Sequence, residues 1–148
     1  MTEEQVTKAI LNILIKNEWK IVAYDFPQSG SGRMLRPNDN ISEKNKGGIV
    51  PDIVAVKNGL CLFFENKDRV VINDFKKVSA LINDNQYSNA ISALLSGYNV
   101  DKIYYGVAFP SSKWNKKAET NAVLVDFIVG VTADMKIDFI YNPNKLCA

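Results

Sequence analysis

Residues 48–68 read GIVPDIVAVKNGLCLFFENKD. Two apolar runs, Ile49 to Lys57 and Leu60 to Asn66, are joined by Asn58-Gly59. Asn-Gly between β-rich runs is a strong hairpin signal, because both central positions of a type I′ turn need positive φ. With those two residues as the loop, Lys57 faces Leu60, and counting back places Asp52 opposite Glu65. Side chains alternate along a strand, so Lys67 is expected on the face that carries Glu65 and Asp52. Two carboxylates and one ammonium then converge on one patch of an otherwise apolar hairpin.

Such a patch needs a physical reason. Like charges directly opposite one another destabilise a sheet. Ile53, Val54, Val56, Leu62, Phe63 and Phe64 imply strands buried on both faces. Charges there are costly unless they are paired or bound to a metal. A divalent cation between Asp52 and Glu65 removes the conflict, and hard oxygen ligands in small number suit Mg²⁺. The plainer alternative is that Lys67 neutralises Glu65 while Asp52 caps the strand start after Pro51.

Pro51-Asp52, followed thirteen positions after Asp52 by Glu65-Asn66-Lys67, resembles the PD-(D/E)XK nuclease superfamily of restriction endonucleases and Holliday-junction resolvases. The likeness extends loosely over residues 3–109. It implies an α/β fold with a restriction-endonuclease-like αβββαβ core, a mixed central sheet flanked by helices. It implies Asp52, Glu65 and Lys67 as catalytic residues, with Asp52, Glu65 and the backbone carbonyl of Asn66 holding Mg²⁺, for which Mn²⁺ substitutes. A first-helix glutamate often completes such a site, which makes Glu3 a candidate ligand.

Composition sets the wider frame. At 148 residues, the chain is expected to form a single domain, 1–148, with a real core. A formal charge of +2 allows nucleic-acid binding without arguing for it. The absence of His excludes His-based catalysis and His ligands in this chain. No apolar run of membrane-spanning length occurs, and the stretch MTEEQVTKAI is acidic and amphipathic, so neither a membrane span nor a usual signal peptide is expected. Cys61 and Cys147 lack metal-site spacing, which favours a reducing, cytoplasmic setting.

Thr2 with Gln5 three residues on reads as a capping box, and Val6, Ile10, Ile13 and Leu14 continue a helix to about Asn17. Glu3 and Glu4 equally suit the positive end of the helix dipole. Trp19 to Phe26 reads as a strand that Pro27 stops. The long polar segment from Pro27 to Gly48 is either a solvated loop or a DNA-contacting one, in which Ser29, Ser31, Arg33, Arg36, Lys44 and Lys46 would meet phosphate. Phe75, Val78 and Ile82 suit one helix; Tyr87, Ala90, Ile91, Leu94 and Leu95 suit a second, with a break at Asn83-Asp84-Asn85. Gln86 opens the second, and the resemblance implies a nucleic-acid contact for it, since some superfamily members place a glutamine or tyrosine from such a helix near the scissile site, though a solvent-facing role is simpler. Lys76-Lys77 reads as a charged solvated face or as a backbone-following pair. Ile103 to Phe109 is a strand stopped by Pro110, and Trp114 with Lys113, Lys116 and Lys117 is either a nucleic-acid surface or a loop docked on the core. Ala122 to Val131 is ambiguous between helix and strand, and Lys136 to Tyr141 suits a late strand.

The expected activity is therefore Mg²⁺-dependent endonucleolytic hydrolysis of DNA, with a homodimer needed to cut both strands. Two alternatives stay open. One is a catalytically inactive nuclease-fold module that binds DNA or protein as an accessory or immunity factor; degenerate members usually lose one of the three residues, and all three are present here. The other is an RNA-cleaving toxin.

Overall fold

The computed structural model describes residues 1–26, 32–38 and 47–148. Its centre is the Asn-Gly hairpin. Asn58 and Gly59 both adopt positive φ (50° and 81°), as a type I′ turn requires. Strands β2 (Ile53–Lys57) and β3 (Leu60–Asn66) pair antiparallel from Lys57↔Leu60 to Ile53↔Phe64. Asp52, one position before β2, lies beyond the last regular rung: its N–H donates at 3.0 Å to the carbonyl of Phe64, the residue already paired with Ile53.

Six strands form one mixed sheet in the order β1-β2-β3-β4-β5-β6. Strand β1 (Lys20–Tyr24) is antiparallel to β2, with an irregularity between Ile21 and Ala23. Strands β4 (Lys102–Pro110) and β5 (Phe127–Val131) run parallel to β3 and to each other. Strand β6 (Ile137–Tyr141) closes the far edge antiparallel to β5. Parallel neighbours need a crossover. Between β3 and β4 it is made by helices α2 (Ile72–Asn83) and α3 (Ser88–Leu94), joined through a 3₁₀ turn at Asn85–Tyr87. Between β4 and β5 it is the short helix α4 (Lys116–Asn121) between two 3₁₀ turns, Ser111–Lys113 and Ala122–Leu124.

Strand alternation sorts the core into two layers. Val54, Val56, Cys61, Phe63, Val107 and Phe109 face Phe75, Val78, Leu81 and Ile91 of α2 and α3. Ile53, Ala55, Leu62, Phe64, Phe127 and Val129 face Val6, Ile10 and Leu14 of α1 (Glu3–Lys16). Burying each of those α1 side chains contributes about 1.5–3 kcal/mol, which holds the helix on its side of the sheet. The Thr2–Gln5 capping box fixes where it starts.

Several sequence expectations change in detail. Pro110 does not stop β4 from outside; it is the last paired residue, opposite Val131. The ambiguous stretch Ala122 to Val131 divides into a 3₁₀ turn and a strand. Trp114 is half-buried and stacks on Phe109, with ring centroids 6.5 Å apart, so it docks its loop on the core. Among the described residues, no helix is long and apolar enough to cross a membrane.

Candidate active site

Alternation in β3 sends Glu65 to the α2 face and Asn66 to the α1 face of the sheet. Asp52 lies close enough to Glu65 and to Lys77 of α2 to feel both charges. Glu65 is only 8 % exposed, and Asn66 is fully buried. The Asp52 Oδ2 accepts the backbone N–H of Asn66 at 2.7 Å, which ties the two strand ends together. The Asn66 side chain donates to Thr7 Oγ1 at 3.0 Å, and Thr7 donates to the Glu3 carbonyl at 3.1 Å. Asn66 is thus the bolt between the site and the first turn of α1.

The charges are distributed differently from the simplest reading of the strand. Glu65 Oε1 is paired with Lys77 Nζ of α2 at 2.8 Å. Lys67 lies beyond the end of β3, its N–H bonded to the Ala108 carbonyl at 2.9 Å, and its ammonium turns to Glu3 Oε1 of α1 at 3.7 Å. Lys67 still lies close enough to favour ionised Glu65 and Asp74. The expectation that Lys67 neutralises Glu65 is corrected in this respect: alternation governs the residue only within the strand, and a long flexible stem reaches the nearer carboxylate outside it. Glu3 does more than complement a helix dipole, since it meets Lys67 directly.

Electrostatics match this crowding. Burial, together with the charge of Glu65, pushes the Asp52 carboxyl from 3.8 up to about 8, against the opposing pull of the Asn66 N–H. Burial also raises Glu65, outweighing the attraction of Lys77. Asp74, in the first turn of α2, is raised by burial against the pull of Lys67, Lys77 and Arg69. Its Oδ2 is buried without a hydrogen-bond partner. Lys77 is raised, because Glu65, Asp74 and Asp52 together outweigh the burial that lowers it.

A hard cation would offset the negative charge that burial disfavours at these oxygens. Asp52 Oδ1 and Glu65 Oε2 carry no hydrogen bond among the described residues, and Asp74 Oδ2 lies buried without a partner close by. Among the described residues, no group of three or more Cys, Asp or Glu side chains is placed to hold a metal ion jointly. The donor set is therefore two carboxylates, which fits a cation that keeps several of its own waters, as Mg²⁺ does. Glu3, offered as a further ligand, lies 3.7 Å from the Lys67 ammonium and near enough to Asp52 for its charge to raise that carboxyl.

The candidate nucleic-acid residues are only partly brought together. Ser29, Ser31, Lys44 and Lys46 lie outside the described residues. Arg33 and Arg36 are exposed and line a recess with Met34, Ala90, Ala93 and Leu94, over α3 and without either carboxylate. Their segment is anchored at both ends. Leu35 bridges to Ile49, and Asn38 bonds the Asn85 carbonyl, Ser88 Oγ and the Asn89 N–H. Gln86 sits in the 3₁₀ turn before α3, not at the start of the helix, and its amide donates to Asp84 Oδ2 at 2.8 Å. Asp74 has no mark in the sequence pattern, and Lys77, which the sequence offers only as half of a solvated or backbone-following Lys76-Lys77 pair, is instead bonded to Glu65. The usable signal was helical spacing: they flank the buried stripe Phe75, Val78 and Leu81, which faces the sheet. Comparison with protein-family models, with curated proteins and with solved structures finds no match for this chain.

Proposed function

We propose that the chain is a metal-dependent nuclease that hydrolyses a DNA phosphodiester bond, built on a restriction-endonuclease-like core. The observation that carries this reading is the closeness of Asp52 to Glu65, near enough for their charges to oppose each other, at the end of a hairpin whose neighbours are apolar. A purely structural hairpin gains nothing from a half-buried carboxylate set against a buried one. The element order α1-β1-β2-β3-α2-α3-β4 and the Pro51-Asp52…Glu65-Asn66-Lys67 pattern agree with the superfamily that the sequence resembles.

In this reading Asp52 and Glu65 hold the divalent cation, which supplies an activated water and offsets charge on the scissile phosphate. Asp52 is kept in place by the Asn66 N–H, and Asn66 by Thr7. Lys67, on the sheet end where α1 begins, offers an ammonium to the negative charge that builds on phosphorus in the transition state. Glu3 orients that ammonium. The carboxyl ends of β4 and β5 border a recess of about 470 Å³ lined by Met1, Gln5, Pro110, Ser112, Lys113 and Met135. It opens at the same end of the parallel strands as Glu65, where ligands of open α/β sheets bind. A second copy of the chain would supply the second cut in a duplex.

The test is incubation of the protein with supercoiled, linear, branched and single-stranded DNA and with RNA, each with Mg²⁺ and with EDTA. Mg²⁺-dependent cutting of DNA supports the proposal, and the preferred shape separates restriction-like from resolvase-like action. Cutting of RNA alone replaces DNA as the substrate. A folded protein that cuts none of them overturns it.

A further inference from the structure

The ion pair that Glu65 makes is with a residue of α2. Lys77 Nζ lies 2.8 Å from Glu65 Oε1, whereas the lysine of the strand pattern, Lys67, is turned to Glu3 at 3.7 Å. Lys77 is held there by its helix. Phe75 and Val78, on either side of it, are buried against the sheet, so its stem leaves α2 at the boundary of the core and its ammonium is directed at the strand end. Lys76, one position back, is exposed.

One ammonium does not complete this site. Lys77 answers the charge of Glu65, but Asp52 is left facing Glu65 with a single backbone N–H as its partner among the described residues. A monovalent cation on a lysine stem reaches one carboxylate; a divalent ion between the two answers both. Resting on the reading of Asp52 and Glu65 as a divalent-cation pair, we propose that Lys77 is a built-in counter-ion of Glu65 that a hard divalent cation displaces when it binds. Lys77 is then a positioning residue: it holds Glu65 aimed at Asp52 in the empty state and sets how tightly the site takes the ion. Once displaced, its ammonium remains within a side chain's reach of the site and adds positive charge where phosphate must enter.

The measurement is Mn²⁺ binding to the full chain without nucleic acid, by calorimetry and by the electron paramagnetic resonance of free Mn²⁺. Wild type, Lys77→Met, Lys77→Arg and Lys67→Met are compared. Removing a competing positive charge from an ion pair at this separation should tighten Mn²⁺ binding about tenfold in Lys77→Met. Lys77→Arg, which keeps the charge, should bind within a factor of about three of wild type, and so should Lys67→Met, whose lysine is paired elsewhere. Mn²⁺ should also raise the melting temperature of Lys77→Met more than that of wild type, since the ion replaces the lost partner of Glu65. If Lys77→Met does not fold, Lys77→Gln, which keeps a hydrogen bond without the charge, makes the same comparison. Equal Mn²⁺ affinity in wild type and the neutral Lys77 variant overturns the proposal. So does an equal gain in Lys67→Met, or the absence of Mn²⁺ binding throughout. DNA cutting measured on the same proteins separates the two readings. Tighter Mn²⁺ binding without cutting retains the counter-ion and rejects the nuclease; cutting with unchanged Mn²⁺ affinity does the reverse.

Discussion

Replacing Asp52 by asparagine should stabilise the protein in EDTA at alkaline pH while removing one of its two proposed metal ligands. The carboxyl is raised from 3.8 to about 8 by burial and by Glu65. A folded-state value above the unfolded one means that the folded chain holds a proton that the unfolded chain releases. The group therefore costs no stability below about pH 4, and its cost grows as pH rises from there to about 8, where it levels off. About 4 pH units at 1.36 kcal/mol each give an upper bound of about 6 kcal/mol for ionised Asp52. Partial exposure of the side chain and relaxation of the pair reduce this to about 2 kcal/mol. Asparagine is nearly isosteric, and its carbonyl oxygen can still accept the Asn66 N–H. Thermal unfolding in EDTA at pH 8.5 should thus give Asp52→Asn a melting temperature about 6 °C above wild type. At pH 4.5 the difference should nearly vanish. Saturating Mg²⁺ should raise wild type but not the variant. Equal or lower stability of Asp52→Asn at pH 8.5 in EDTA would refute the claim that the charges of Asp52 and Glu65 oppose each other here.

Three further outcomes follow from the packing. Phe64 is 1 % exposed and meets Phe127 edge-on at 5.1 Å, so Phe64→Ala should cost about 3–5 kcal/mol in urea unfolding; a loss below about 1 kcal/mol would mean that the α1-side core is not packed as described. Thr7→Val removes the acceptor of the buried Asn66 amide and should cost about 1–3 kcal/mol despite the nearly unchanged volume. A native thiol titration should label Cys147 alone, because Cys61 is fully buried and burial raises its thiol to about 12; both should react after unfolding, and rapid native labelling of both would contradict the core assignment.

The hairpin was legible because its information is local. Asn58-Gly59 dictates positive φ, and the turn dictates a register that holds as far as Ile53↔Phe64, which leaves Asp52 close enough to Glu65 for their charges to interact. The capping box at Thr2 and the break at Asp84 were readable for the same reason. The partners of the charges were not readable. Glu65 finds Lys77 only because α2 lies across the strand end at a crossing that no residue spacing encodes. Lys67 finds Glu3 only because α1 begins beside the end of β3. Pro110 lacks an N–H and so suggests a strand stop, yet it occupies the last rung of β4, beyond the final β3 pair at Ala108 and with a paired strand on one side only. Spacing alone lets Trp114 serve a partner surface or a core anchor, and only the structure shows it half-buried and stacked on Phe109.

The central claim concerns the pair Asp52 and Glu65, and a single nicking assay tests it. Supercoiled plasmid is incubated with wild type, Asp52→Asn and Glu65→Gln at equal folded concentration, in a Mg²⁺ titration. Mg²⁺-dependent conversion to nicked or linear product by wild type, with a loss of at least about a hundredfold in both variants, is the predicted result. Cleavage that persists in either variant, or that continues in EDTA, would show that the facing carboxylates are not the catalytic centre.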